Sequence, residues 1–372
     1  MVIHFSILGV ILFVGLIWEN RVSEQAEFCI RNGQEYSTPI LPWLIIFGYI
    51  AFLAAMRTNA NDTSAYIQSF QNLSPTWEAF QYQLSFVGVG KDWAFDAVGI
   101  LFKMYVSQDY HMWFAAFAIV EAVIFIHILR RTSASLLICC FYLFSSTLYY
   151  NFFSMMRQWF AVSLVFAAFP LVRERKFLKY VLICVIAAQF HNSAYLMIPV
   201  YFIVSGMAWS GKQTALIVIF SFFMIFLTPI LNTMESSLAG TTYDYAISAM
   251  NSSSGSSGIR ALIALVPVAI AYMDRYEIED ETMNICVNMS LLNLLLNIVA
   301  TFTSGLYIIR LATYFGVYNL VLYPYLLRIS IKEQWKQLVT ILFYIIYFLF
   351  YIYQMMHQGA FGYGSDILGY FY

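Results

Sequence analysis

Apolar runs of nearly membrane-crossing length recur from one end of this 372-residue chain to the other, and no water-soluble fold accommodates them. A helix that crosses the hydrocarbon needs about 20 mostly apolar residues, somewhat fewer where polar ends snorkel. Such runs lie near 2 to 18, 40 to 56, 111 to 129, 135 to 152, 156 to 172, 177 to 190, 192 to 205, 213 to 231, 259 to 273, 284 to 303 and 307 to 328, with a last one near 337 to 356. They predict an all-α, polytopic transmembrane helix bundle of about 11–13 spans, a single integral membrane domain over residues 1–372. The first run has no basic stretch before it and no small-residue cleavage site ahead of Glu19-Asn20-Arg21, so it reads as a membrane helix and not as a signal peptide. Only 10% of the residues are charged, against about 25% in an ordinary soluble domain. With a formal charge of -1 the chain is not expected to bind nucleic acid. Cys29, Cys139, Cys140, Cys184 and Cys286 lie mostly in apolar stretches without CxxC spacing, which argues against a disulfide framework or a zinc site.

Short cytoplasmic connections retain Lys and Arg, so the basic residues orient the bundle. Arg21, Arg31, Arg130, Arg131, Arg173, Arg175, Lys176, Lys179, Lys212, Arg275, Arg328, Lys332 and Lys336 fall in alternate connections and can all be cytoplasmic together. That leaves Arg57, Lys91, Lys103, Arg157, Arg260 and Arg310 at or beyond the outer boundary, where positive charge is disfavoured. Two outer segments are long enough to do more than connect. The segment 57–110, with the apolar patch AFDAVGILFKMYV, is expected to form amphipathic or re-entrant helices on the outer surface. The segment 232–258, rich in Ser and Gly, is expected to be a flexible loop that could serve as a mobile lid.

A single boundary arginine is explained by snorkelling to lipid phosphate. Four of them, Arg57, Arg157, Arg260 and Arg310, on one side point instead to a shared anionic ligand, because the guanidinium fork matches phosphate oxygens in bidentate fashion. Asp62 sits where it could cap a helix or act as a reactive carboxylate, with Tyr66 one turn on. His191 interrupts an apolar run at the depth of the arginines and is either a hydrogen-bonded structural residue or a base. Glu121, inside a span, calls for a buried polar partner, or for the role of an intramembrane carboxylate in proton coupling. Asp92 and Asp96 read as a solvated surface, and no metal and no cofactor are expected. There is no glycine-rich phosphate loop and no GxSxG nucleophile motif.

Taken in order, Arg57 with Asp62 and Tyr66, Arg157-Gln158 opening a span, the basic turn RERKFLKY, then FHNSAYLMIP, and Arg310 with Tyr314 resemble the EpsG family within the broader Wzy-type polysaccharide polymerases. The stretch from about 150 to 205 is the most specific part. The resemblance implies a membrane glycosyltransferase of GT-C-like architecture in the bacterial cell membrane, working at the outer face. It would join undecaprenyl-pyrophosphate-linked oligosaccharide repeat units into capsular, exopolysaccharide or O-antigen chains. Membrane lipids, a flippase and a chain-length regulator are the partners it implies. Arg157 and Arg310, then Arg57 and Arg260, would bind pyrophosphate; Tyr66, Gln158 and Tyr314 would bind substrate; and His191 or Asp62 would be catalytic. The residues suit that chemistry, since a leaving pyrophosphate needs donors where charge develops and a sugar hydroxyl needs a base. His191 is narrowly preferred as base because histidine titrates near neutrality. A flippase or exporter of lipid-linked oligosaccharide, or a membrane acyltransferase, are the alternative readings.

Overall fold

The computed structural model describes residues 2–87, 92–226, 255–303, 305–357 and 362–370. Among these the chain is helical, with two isolated β-bridges. It falls into two compact units, residues 1–198 with 323–372, and residues 199–322.

The first unit opens with α1 (Val2–Arg31) and α2 (Ile40–Met56). Three short helices follow within residues 57–110, α3 (Thr63–Asn72), α4 (Trp77–Leu84) and α5 (Trp93–Tyr105). Next come α6 (Tyr110–Thr132), α7 (Leu136–Ser145), α8 (Met156–Ala167), α9 (Phe169–Arg173) and α10 (Phe177–Phe190). A helix over Glu333–His357 closes this unit. Of its helices α1, α6 and the Glu333–His357 helix are long and apolar enough to cross a membrane, as is Glu281–Phe302 of the second unit, while α2, α7 and α10 are shorter apolar helices.

Several predicted runs differ from the observed helices for identifiable reasons. α1 does not stop at residue 18 but continues to Arg31. Glu19 is accommodated inside the protein, because its carboxylate accepts from Ser135 Oγ at 2.6 Å, Leu137 N–H at 2.7 Å and Arg328 Nη2 at 2.7 Å. It thereby satisfies an exposed donor at the start of α7 and a cation together. Glu19→Ala should therefore lower stability by about 3 kcal/mol, since it leaves that donor unpaired and leaves Arg328 only its longer contact to Glu27, at 3.8 Å. Thermal unfolding of the purified protein in detergent checks this, and an unchanged midpoint would refute it. The run 135–152 breaks after Ser145 at Thr147, whose φ of 65° is left-handed, and continues as a 3-10 turn over Leu148–Phe152. The run 156–172 breaks at Ala168 because Pro170, in the first turn of α9, has no N–H to donate to the preceding helix.

α2 and α6 pack antiparallel, and the unit has two chemically different ends. At one end Arg130 Nε donates to Thr38 O at 3.1 Å, and Thr38 N–H returns a bond to Arg130 O at 2.8 Å. Arg173 lies 3.6 Å from Glu35 at that end. At the other end of the α2 and α6 pair, His111 Nδ1 lies 2.9 Å from Ala55 O. Lys103 donates to the carbonyls of Phe70, Gln71 and Leu73 at 3.1, 3.0 and 2.7 Å and so caps α3. The C-terminal stretch returns to this end: Gly364 N–H donates to Asn59 O at 2.7 Å, and Tyr363 OH donates to Leu53 O at 2.9 Å.

The second unit holds most of α11 (Met197–Val204), then α12 (Gly211–Ile225), α13 (Gly258–Met273), α14 (Glu281–Phe302) and α15 (Gly305–Gly316). On α14, Asn284 Oδ1 accepts from Ala208 N–H at 2.7 Å and Asn288 Nδ2 donates to Val204 O at 3.0 Å. Those two amides hold the turn after α11, where backbone groups have no helical partners. The run 307–328 is interrupted after Gly316, and a seven-residue helix, Asn319–Tyr325, gives way to a π-helical turn over Leu326–Ser330 just after Pro324. All but the final residues of the 232–258 loop lie outside the described residues, as does Lys91.

Candidate functional site

Three chain breaks put four ionisable groups together at the end of the first unit away from Arg130 and Arg173. Asp92 immediately precedes α5 in a left-handed conformation, φ 57° and ψ 24°, which aspartate tolerates better than most residues. Its side chain does not cap its own helix. Arg157 is the second residue of α8, entered through Met155 at φ 47°. His191 forms the extended corner, φ -156° and ψ 114°, between α10 and a 3-10 turn over Asn192–Leu196.

His191 Nδ1 lies 3.3 Å from Asp92 Oδ2, and Asn192 N–H donates to Asp92 Oδ1 at 3.2 Å. Arg157 Nη1 stands 3.9 Å from the same Asp92 Oδ2, while its Nη2 donates to Asp96 Oδ1 at 3.2 Å. The guanidinium lies over the Phe95 ring at 4.8 Å, and that ring is 5.9 Å from Tyr66. Trp93 Nε1 donates to Gln189 Oε1 at 2.7 Å, a second brace between α5 and α10. The Asp92 side chain is only 6% exposed, whereas those of Asp96, Arg157 and His191 are 26%, 27% and 25% exposed and can meet a ligand.

The two carboxylates are driven apart. Burial alone would raise Asp92, but the hydrogen bond and charge of His191, the Asn192 N–H and the Arg157 charge together hold it below the usual aspartate value. Asp96 lies above that value, because burial, helped by the like charge of Asp92, outweighs the attraction of Arg157. As pH falls, Asp96 is neutralised first and Arg157 keeps Asp92.

The structure thus brings together Arg157 and His191, with Tyr66 reached through Phe95. It corrects the reading of Asp92 and Asp96 as a solvated surface, since Asp92 is buried and both face Arg157. Their spacing of four residues was visible, but their partners are 61 and 99 residues away in the chain, where no local pattern reports them. Arg57, expected among the arginines offered to an anion, is 1% exposed. Its Nε donates to Thr63 Oγ1 at 3.2 Å, its Nη1 to Ala54 O, and its guanidinium packs on the Phe114 ring at 4.1 Å. Arg57 thus serves the protein interior, where its charge also acts on the buried Glu121. Asp62 does precede α3, but its side chain makes no capping bond, and its charge acts on the Tyr150 phenol. Gln158 is buried, because adjacent residues on a helix point to different faces. In the second unit Arg260 opens α13 and Arg310 lies in α15, both half-buried, and Tyr314, one turn beyond Arg310, is buried.

The family model of the EpsG family matches residues 40–370. No curated protein and no solved structure matches the chain.

Proposed function

The chain belongs to the EpsG family, a family of polysaccharide polymerase-like membrane proteins, and from that premise we propose that it polymerises lipid-linked oligosaccharide repeat units at the outer face of the bacterial cell membrane. The observation that carries the reading is the partly exposed pair of Arg157 and His191, held by Asp92 and Asp96 at the end of the first unit opposite its basic connections. In the proposed reaction a hydroxyl oxygen of one repeat unit bonds to the anomeric carbon of another. The bond from that carbon to the undecaprenyl pyrophosphate breaks, and its electron pair leaves with the pyrophosphate. The hydroxyl proton passes to His191 Nε2 and then to solvent. Arg157 donates to the pyrophosphate oxygens as they take up charge, an interaction made where charge develops. On sequence grounds Arg260 and Arg310 are further candidates for binding phosphate, and Tyr314 for binding substrate.

The lipid-linked glycans of cells with and without the gene test this reading. Loss of the gene should leave single repeat units in place of long chains, and an unaltered length distribution would overturn the proposal. Single repeats confined to the inner leaflet would favour an exporter instead.

The order in which the carboxylates titrate gives a further expectation. A pyrophosphate diester stays ionised through the acid range in which a raised carboxylate titrates, so any pH dependence of its binding there belongs to the protein. Asp96, raised above its ordinary value, accepts a proton on the acid side and releases Arg157 to the ligand. Affinity for the lipid-linked repeat unit should therefore rise a few-fold as pH falls, and Asp96→Asn should bind tightly at both ends of the range. Equal pH dependence in the two proteins would exclude Asp96 as the competing counter-ion.

A further inference from the structure

Of the four groups at the site, Asp92 is the one withheld from solvent, and its two oxygens are spent on one corner of the chain. Oδ2 meets the His191 ring at Nδ1 and Oδ1 meets the backbone N–H of Asn192, so one carboxylate fixes both the ring and the main chain that carries it. Arg157 approaches Oδ2 less closely, at 3.9 Å, and takes its shorter bond from Asp96. An aspartate just before a helix ordinarily caps it. Here the left-handed backbone at Asp92 turns the carboxylate away from α5 and toward His191.

We propose that Asp92 is the positioning residue of His191, accepting a hydrogen bond from Nδ1–H so that Nε2 is left bare to take the proton of the attacking hydroxyl. The proposal rests on the reading of His191 as base. A neutral imidazole donates from one nitrogen and accepts at the other, and an ionised carboxylate can only accept, so the pairing selects the tautomer with hydrogen on Nδ1. The same carboxylate answers the positive charge that develops on the ring as the proton arrives, in a place where Arg157 would oppose it. The charged groups facing the pair are Arg157 from α8 and Asp96 from α5. The proton balance is unchanged: Nε2 gains the hydroxyl proton, Nδ1 keeps its own, and Asp92 stays ionised throughout.

The test uses the purified full-length protein with lipid-linked repeat units, and four variants: Asp92→Asn, Asp92→Glu, His191→Gln and the Asp92→Asn/His191→Gln double variant. Asp92→Asn should lower kcat about 100-fold with KM within a few-fold of wild type, and move the acid limb of the kcat profile to lower pH. Asp92→Glu should recover part of kcat and return the acid limb toward its wild-type position. If Asp92 acts through His191, the double variant should be no slower than His191→Gln alone. A double variant slower by the full Asp92→Asn factor, or an Asp92→Asn effect confined to KM, would overturn the positioning role while leaving His191 as base. Near-wild-type turnover in His191→Gln would remove the base assignment itself. Should Asp92→Asn fail to fold, Asp92→Glu decides: partial kcat with an unmoved acid limb supports the role, and raised KM at full kcat refutes it.

Discussion

Arg157→Lys is expected to lower the efficiency of polymerisation about 100-fold, roughly 2.7 kcal/mol of transition-state stabilisation, while the protein accumulates normally. The guanidinium reaches Asp92 and Asp96 with separate nitrogens and lies flat over Phe95 at 4.8 Å. A lysine keeps the charge between the two carboxylates, which preserves the fold, but its single nitrogen cannot bridge them and still present a planar fork to a pyrophosphate. Arg157→Ala should do more harm, because Asp92 would then lie buried with less compensating charge. Activity assayed at matched protein levels in membranes distinguishes the cases. Full activity in Arg157→Lys would remove Arg157 from the phosphate-binding role, and an activity loss that merely tracks protein loss would make it a structural counter-ion.

The second large effect is expected at His191. His191→Gln should reduce turnover by about 100-fold or more while binding of the lipid-linked repeat unit persists, the signature of a missing base. Asp62→Asn should stay within a few-fold of wild type, because the described geometry gives Asp92 and Asp96, not Asp62, to the group containing His191 and Arg157. Turnover measured across pH with purified substrate settles the comparison. An inactive Asp62→Asn that still binds, beside a His191→Gln that polymerises, would transfer the role of base to Asp62.

Asp92 and Asp96 were both within view in the sequence, yet local spacing supported only one reading of them. KDWAFD shows two acids on one helical face, which is how a solvated surface looks when no partner lies nearby in the chain. Arg57 is the converse case. Its position at a span boundary suggested a ligand for an external anion, but Thr63, Ala54 and Phe114 enclose it. In each case the deciding neighbour arrives from another helix, and pairings between helices are not encoded in the spacing within one.

What the amino-acid sequence determined by itself was the solvent this chain requires, the helical class that follows from it, and the grouping of charge. Inside hydrocarbon every backbone polar group must be satisfied locally, so apolar runs of that length leave helices as the outcome. The alternation of basic connections grouped Arg130 and Arg173 on one side, and the structure holds Arg130 at Thr38 and Arg173 at Glu35, at the end of the first unit away from Arg157 and His191. The tertiary structure alone decided where the helices break, that the stretch around Gly364 returns to Asn59, and that Asp92 reaches across 99 residues to His191. Burying a carboxylate is tolerable only when its partners arrive together, and that requirement belongs to the packed helices, not to any one segment of the chain.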